Sequence, residues 1–458
     1  MSNVRIVDDV ACTVCGCVCD DLRVTIESDP TTGAERVASL APQCKLADDW
    51  IPHQLTARPA AAEIDGQPVP LAQAIARAAE ILQQAQAPLI YGLSRSSTPG
   101  QRAAARLADQ LGATIDTTAS LCHAPSIMAV QTVGESTASL GEIRHRADLV
   151  IFWGSNPVES HPRHLERYSL YPPAMFLPRG RQDRTLVVVD VEANQTTAQA
   201  DVFIPVERGH DLEALWTLRG LVRGIEPTAG TVIGAKLDQL RDLARRMREC
   251  RCGVVFFGLG LTQPPVAHAN VEALLRLVTE LNAFTRFHAK RMRIYGDVAG
   301  ADSVLCWQTG YPFGVNLARG YPRYNPGEYT ANDLLERHEV DCCLLVGSES
   351  TTRPDRGVPA LTDRAIARLQ SIPTIALEYP HSVSRSVFQP TVRFTTAVYG
   401  IHRPGTAYRM DEVPVPLRAF ATSEYPSDDE ILAQLSATVG HSRRAPNVNT
   451  TSRDTPSR

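Results

Sequence analysis

Seven short segments of this chain are almost wholly apolar: residues 88–93, 148–154, 185–190, 202–206, 253–258, 342–347 and 372–377. A strand with apolar side chains on both faces has to be covered on both faces. Between these segments lie stretches with helical spacing, at 70–85, 102–111, 211–222 and 270–282. In the first of them Leu71, Ile75, Ala78, Ile81 and Leu82 fall on one stripe. Buried strands alternating with helices predict parallel sheets flanked by helices, an α/β architecture. At 458 residues the chain has room for about three domains of ~150 residues. Residues 4–40 differ, reading as short strands around a cysteine-rich loop, and the polar residues 441–458 read as a disordered tail.

Charge and hydropathy narrow the function. A formal net charge of −4 gives no electrostatic case for nucleic acid or an anionic membrane. No run approaches the ~18 apolar residues of a membrane span. The N-terminus lacks a basic region followed by an apolar run, so no signal peptide is expected and the eleven cysteines are expected to be reduced in a cytoplasm.

Four of those cysteines, Cys12, Cys15, Cys19 and Cys44, are spaced C-x2-C-x3-C-x24-C, with Cys17 as an extra. Thiolates at such spacing hold an iron–sulfur cluster. They also make a structural zinc site, and a disulfide is a third option; spacing separates the three poorly. A second chemical feature is Cys122-His123, in a polar loop after an expected strand at 113–116. A thiol beside an imidazole can be a nucleophile, a metal ligand with a proton-transfer neighbour, or a packed thiol. Four strand ends carry glycine: Gly92, Gly154 followed by Asn156, Gly258 with Gly260, and Gly347. Ligands of open α/β sheets sit beyond such ends. None of these turns matches G-x-G-x-x-G or a P-loop. His161 and His164 read as residues that support a neighbouring site or pack, rather than as a metal pair, and Cys250, Cys252, Cys306, Cys342 and Cys343 as buried thiols.

The motifs C-T-V-C-G-C-V-C-D-D at 12–21, A-P-Q-C-K at 41–45, S-L-C-H-A-P-S at 120–126, W-G-S-N-P-V-E-S-H-P-R-H at 153–164, R-G-Y-P-R-Y-N-P-G-E at 319–328 and G-T-A-Y-R-M-D at 405–411 occur in order. Together they resemble the B subunit of formylmethanofuran dehydrogenase, a molybdenum- or tungsten-pterin oxidoreductase. The resemblance implies a β-rich cluster domain at 1–57, α/β regions at 58–249 and 250–400, and a C-terminal segment at 401–440, with the α/β domains interleaved. It implies that Cys12, Cys15, Cys19 and Cys44 hold a [4Fe–4S] cluster, with Cys17 spare and pointing away. Cys122 would ligate the metal of a bis(molybdopterin guanine dinucleotide), with His123 and Arg293 beside it. Gly154, Asn156, Gly258, Gly260 and Gly347 would contact the cofactor. The implied reaction is reversible reduction of carbon dioxide to formate, coupled to N-formylation of a furan carrier by an amidohydrolase-like A subunit, with C and D subunits in the same complex.

The chain departs from that pattern at three places. Glu192 stands where an arginine is usual, Ser350 where a proline shapes a turn, and Ala124 where glycine is usual. These departures fit an alternative, the redox-silent B subunit of the bacterial formyltransferase/hydrolase complex, which releases formate from formyl-methylofuran.

Overall fold

The computed structural model describes residues 3–262, 266–347, 360–383, 386 and 388–440. Ser350 and the tail at 441–458 lie outside the described residues. Among the described residues no helix is long and apolar enough to cross a membrane.

Strands Asn3–Val10, Leu22–Ser28 and Glu35–Ala41 form an antiparallel sheet. Leu22, Val24 and Ile26 alternate inward and meet Trp50, Ile51 and Leu55 of helix Lys45–Thr56. This is the period-two pattern of a half-covered sheet. The loop between the first two strands carries Cys12 to Cys19 and closes on itself through Cys12 N–H donating to the Cys19 carbonyl, 2.8 Å.

The rest packs on two larger sheets. One is parallel throughout, in the order Val202–Pro205, Thr185–Asp190, Leu149–Trp153, Cys252–Phe257, Arg286–Arg291. The other has nine strands, with Thr114–Thr117, Pro88–Gly92, Cys342–Val346, Thr374–Glu378 and Val392–Thr395 as its parallel centre. Val187, Val188 and Val189 are buried on both faces, as helices on either side require. Helix Thr98–Leu111 turns sharply into strand Thr114–Thr117 because Gly112 takes a left-handed φ of 65° at little steric cost.

The five-stranded sheet draws strands from either side of residue 250, so a division at 249/250 cuts through it. The sheets, rather than consecutive stretches, are the packing units. Each sheet has one place where strand order reverses: between Leu149–Trp153 and Cys252–Phe257, and between Pro88–Gly92 and Cys342–Val346. Such switch points leave a crevice at the carboxyl ends of the strands.

Candidate functional site

At the first switch point a cavity of about 350 Å³ is lined by Gly154, Ser155, Asn156, Glu159, Ser160, Gly258, Leu259, Met292 and Ile294. Three of the expected cofactor residues, Gly154, Asn156 and Gly258, are therefore on one wall. Gly260 is not in the lining. It packs on Gly154, where a methyl group on Gly154 would stand 2.8 Å from the Gly260 Cα, so these glycines let two strand ends touch. Gly347 belongs to the other sheet, against Arg95. The four glycine-bearing ends thus do not share this cavity: Gly92 and Gly347 serve the second switch point. Glu192 is exposed and outside the lining.

Cys122 and His123 follow strand Thr114–Thr117 of the nine-stranded sheet. Arg293 follows edge strand Arg286–Arg291 of the five-stranded sheet. The carboxyl ends of both sheets meet here. Cys122 packs on Ile294 and Tyr295, with Leu259 beside them. Burial pushes its thiol up to about 12, against the pull of the Arg293 guanidinium. His123 is wholly buried, and burial, then Arg293, hold its imidazole well below the usual range. The Met292 carbonyl stands nearby, yet neither ring nitrogen makes a hydrogen bond of ordinary geometry among the described residues. Arg293 is 3% exposed; its Nη1 donates to Asp302, while its Nε is buried without an acceptor among those residues. Asp302 also accepts from the Thr117 hydroxyl, 2.9 Å. His161 Nε2 donates to the Arg293 carbonyl, 2.7 Å, and its Nδ1 meets the cavity-lining Ser160 hydroxyl at 2.8 Å. Of the two roles expected for His161, the structure favours support over packing alone: it ties the Arg293 backbone to the cavity wall.

The cysteine loop sits directly against this segment. Gly16 N–H donates to the Ile294 carbonyl, 3.1 Å, and Gly16 accepts from Met410 N–H, 2.8 Å. A methyl group on Gly16 would stand 2.2 Å from the Arg293 carbonyl oxygen, and one on Gly296 would stand 1.9 Å from the Thr13 carbonyl oxygen. Two glycines therefore allow backbone-to-backbone contact between the thiol loop and the Arg293 strand end.

Cys12, Cys15, Cys17 and Cys19 are buried and Cys44 is half-buried. Cys12 and Cys44 are pushed up first by burial, with the other thiols of the set adding to it. Cys17 does not point away. Its thiol faces those of Cys15 and Cys19, which act on it by hydrogen bonding, and it packs in the same apolar cluster. At the rim Arg163 grips Asp21 with two bonds of 2.7 and 2.8 Å. Arg167 pairs with Asp20 and Asp21; the Cys17 thiol first, and then both guanidinium groups, hold the Cys19 thiol below its ordinary range against burial. The buried-thiol reading fails for Cys306, which is exposed on helix Val298–Thr309, and for half-buried Cys250.

Among the described residues no three His, Cys, Asp or Glu side chains close on one point as single-ion ligands. In a [4Fe–4S] cluster each thiolate binds its own iron, so its ligands stand apart. The soft, buried, mutually repelling thiols fit that group. The free imidazole nitrogens and guanidinium Nε beside Cys122 fit a ligand-bearing metal, since buried polar atoms are otherwise paired.

Two interleaved sheets, a thiol-rich β unit and a cysteine at their shared carboxyl edge define an α/β fold of the molybdopterin oxidoreductase type. No protein-family model matches the chain. It is 38% identical over 422 residues to the B subunit of tungsten-containing formylmethanofuran dehydrogenase 2 of Methanocaldococcus jannaschii, covering 91% of this chain and 94% of that one. The B subunit of the formyltransferase/hydrolase complex Fhc of Methylorubrum extorquens is 26% identical over 294 residues, 64% of this chain and 76% of that one. A crystal structure of the FhcABCD complex from Methylorubrum extorquens, with methylofuran, contains a chain with a TM-score of 0.67 and 23% identity, covering 83% of this chain and 98% of that one. The chain belongs to the family of formylmethanofuran dehydrogenase B subunits.

Proposed function

We propose that this chain is the redox subunit of a cytoplasmic formylmethanofuran-dehydrogenase-type complex, interconverting carbon dioxide and formate. In this reading Cys12, Cys15, Cys19 and Cys44 hold a [4Fe–4S] cluster. Cys122 ligates the tungsten or molybdenum of a bis(molybdopterin guanine dinucleotide), and the cavity at Gly154, Asn156 and Gly258 receives part of that cofactor. When bound, the metal supplies the two-electron chemistry. A cluster held by those four thiolates would supply a path for the electrons, and the balance requires one proton per formate made.

The chain's own residues have definable parts. Metal binding would offset the burial that keeps the Cys122 thiol protonated, since a coordinating thiol is deprotonated. Arg293 is locked at Nη1 by Asp302, which leaves Nε–H free to hold a formate oxygen. His123, neutral in its buried setting, can take or give a proton at a ring nitrogen. Burial of all three excludes water. Formate would pass to an amidohydrolase-like A subunit that formylates a furan carrier, with C and D subunits completing the assembly. The observation that carries this reading is the wholly buried His123, with only the Met292 carbonyl near its ring, set beside Cys122 and the buried Arg293.

One observation favours the second reading, the redox-silent subunit that supports formate release from formyl-methylofuran. Among the described residues the cavity lining contains no lysine or arginine and one carboxylate, Glu159, a poor match for a pyrophosphate. Metal, iron and pterin analysis of the anaerobically purified complex, with formate-dependent viologen reduction, separates the two. Tungsten or molybdenum with dye reduction is expected. Neither metal and no dye reduction, with formyl transfer intact, rejects the redox reading.

A further inference from the structure

Cys122 and the cavity at the first switch point belong to different sheets, so their mutual position depends on contacts between the sheets. Cys122 follows strand Thr114–Thr117 of the nine-stranded sheet, and Leu259 of the cavity wall follows strand Cys252–Phe257 of the five-stranded one. The short helical turn Leu259–Thr262 lies where they meet. It is pinned to the wall by Gly260 N–H, which donates to the Gly154 carbonyl, 3.0 Å. At its far end Thr262 is 6% exposed. The Thr262 hydroxyl donates to the Cys122 carbonyl, 3.1 Å, and to the Leu259 carbonyl, 3.2 Å. A hydroxyl has one proton, so two acceptors at near-equal distance share it. The Cys122 thiol, by contrast, bonds within its own segment, to the Thr118 carbonyl at 3.4 Å. Cys122 and Leu259 also touch through apolar atoms, but apolar contact is non-directional. One hydroxyl thus joins the backbone of Cys122 to the backbone of the cavity wall.

We propose that Thr262 is a positioning residue: by holding the Cys122 carbonyl, its hydroxyl fixes Cys122 against the cavity so that the sulfur can ligate the metal of a cofactor seated there. The proposal rests on the redox reading above. A metal–ligand distance tolerates an error of only about 0.2 Å, and contacts with direction are what align two sheets that closely. Groups that orient a metal ligand are worth about 10–100-fold in metal affinity or activity. Arg293 is held separately, by Asp302 at its guanidinium and by His161 at its carbonyl, so the formate end of the site does not depend on Thr262.

The test uses the anaerobically purified complex as wild type, Thr262→Val, Thr262→Ser and Asn270→Ala. Asn270 is the control: from helix Ala267–Leu281 its Nδ2 supports the same turn at the Leu261 carbonyl, 3.3 Å. Tungsten or molybdenum, pterin and iron are measured per complex after gel filtration, with formate-dependent viologen reduction alongside. Thr262→Val has the same shape without the donor. It should keep its iron and elute with its partner chains, yet lose metal and pterin on the column. Its kcat should fall about 10–100-fold with KM for formate nearly unchanged. Thr262→Ser, which keeps the donor, should recover both, and Asn270→Ala should retain its metal. Should Thr262→Val not assemble, Thr262→Ala, which also lacks the donor, carries the same expectations. Metal and pterin retained by the donor-free variant as in wild type overturn the proposal. So does an equal loss in Asn270→Ala, which would make the integrity of the turn the cause. A wild-type complex with neither metal nor pterin overturns the redox reading and this proposal with it.

Discussion

The thiol loop and the Cys122 pocket touch through Gly16, yet they satisfy their polar groups in opposite ways. In the loop, the sulfurs answer one another, and the charges at the rim are paired as Arg163 with Asp21 and Arg167 with Asp20. In the pocket, His123 has only the Met292 carbonyl near its ring, and the buried Nε of Arg293 has no acceptor among the described residues. The loop is drawn from eight consecutive residues and one distant cysteine. The pocket is assembled from strand ends of two sheets and a helix. The ligand set of the loop needs only the N-terminal strands to fold and bring Cys44 in; a pocket of this kind exists only once both larger sheets have closed on it.

The sharpest way to break that contrast is Asp302→Ala. Asp302 is the carboxylate that holds Nη1 of the buried Arg293. Removing it leaves a desolvated cation alone, which destabilises a fold by about 3–5 kcal/mol. Denaturant unfolding of the purified complex should show a loss of that size, with the iron of the thiol loop retained in the folded fraction. A loss below ~1 kcal/mol would mean that Arg293 has another partner or reaches water, and the pocket would no longer differ from the loop in kind.

This difference also governs what could be read in advance. The cluster cysteines announce themselves by spacing, and the central strands by runs such as Leu-Val-Val-Val at 186–189. Edge strand Arg286–Arg291 carries no apolar run to announce it: its sequence, RFHAKR, is mostly polar although every residue after Arg286 is buried. Helix Val298–Thr309, which supplies Asp302, is built of small residues without a clear stripe. Arg293 entered only through resemblance, and nothing local marks Asp302, Thr117 or His161 as its partners. Helix Asp428–Val439 did carry a signal, the capping box of Ser427 and Glu430, in a region described only as a C-terminal segment. Cys17 was misjudged because spacing counts ligands but does not say where an extra side chain turns.

A second, smaller effect sharpens the comparison through pH. Asp116, in the strand Thr114–Thr117 that leads to Cys122, accepts backbone N–H groups from Thr117, Gly314 and Ala331 at 2.7–2.9 Å. Burial nevertheless pushes its carboxyl up to about 7. Between the ordinary value near 3.8 and about 7 the native state binds the extra proton and the unfolded chain does not. Its contribution to stability is therefore present in full below that window and is lost as pH rises through it. The slope is about 1 kcal/mol per pH unit, near the limit for one proton. Unfolding free energies at pH 5, 6 and 7 should show a shallower decline in Asp116→Asn than in the wild type. Identical slopes would mean that the backbone donors outweigh burial and keep Asp116 ionised.

The smallest effect concerns Glu192, the acidic residue that most strongly suggested a failed cofactor site. It is exposed and absent from the cavity wall, and its clearest electrostatic influence is to help raise Asp190. Surface changes of this kind stay within about 0.5 kcal/mol. Glu192→Gln should therefore leave both unfolding free energy and pterin content unchanged. Glu159→Gln is the informative partner, because Glu159 does line the cavity. A carboxylate and a phosphate ~4 Å apart repel by about 4 kcal/mol at an effective dielectric of 20. If a pyrophosphate enters there, neutralising Glu159 should raise pterin retention during gel filtration while neutralising Glu192 does not. Higher retention in Glu192→Gln instead would place that side chain against the phosphates and return the departure at residue 192 to the cofactor site.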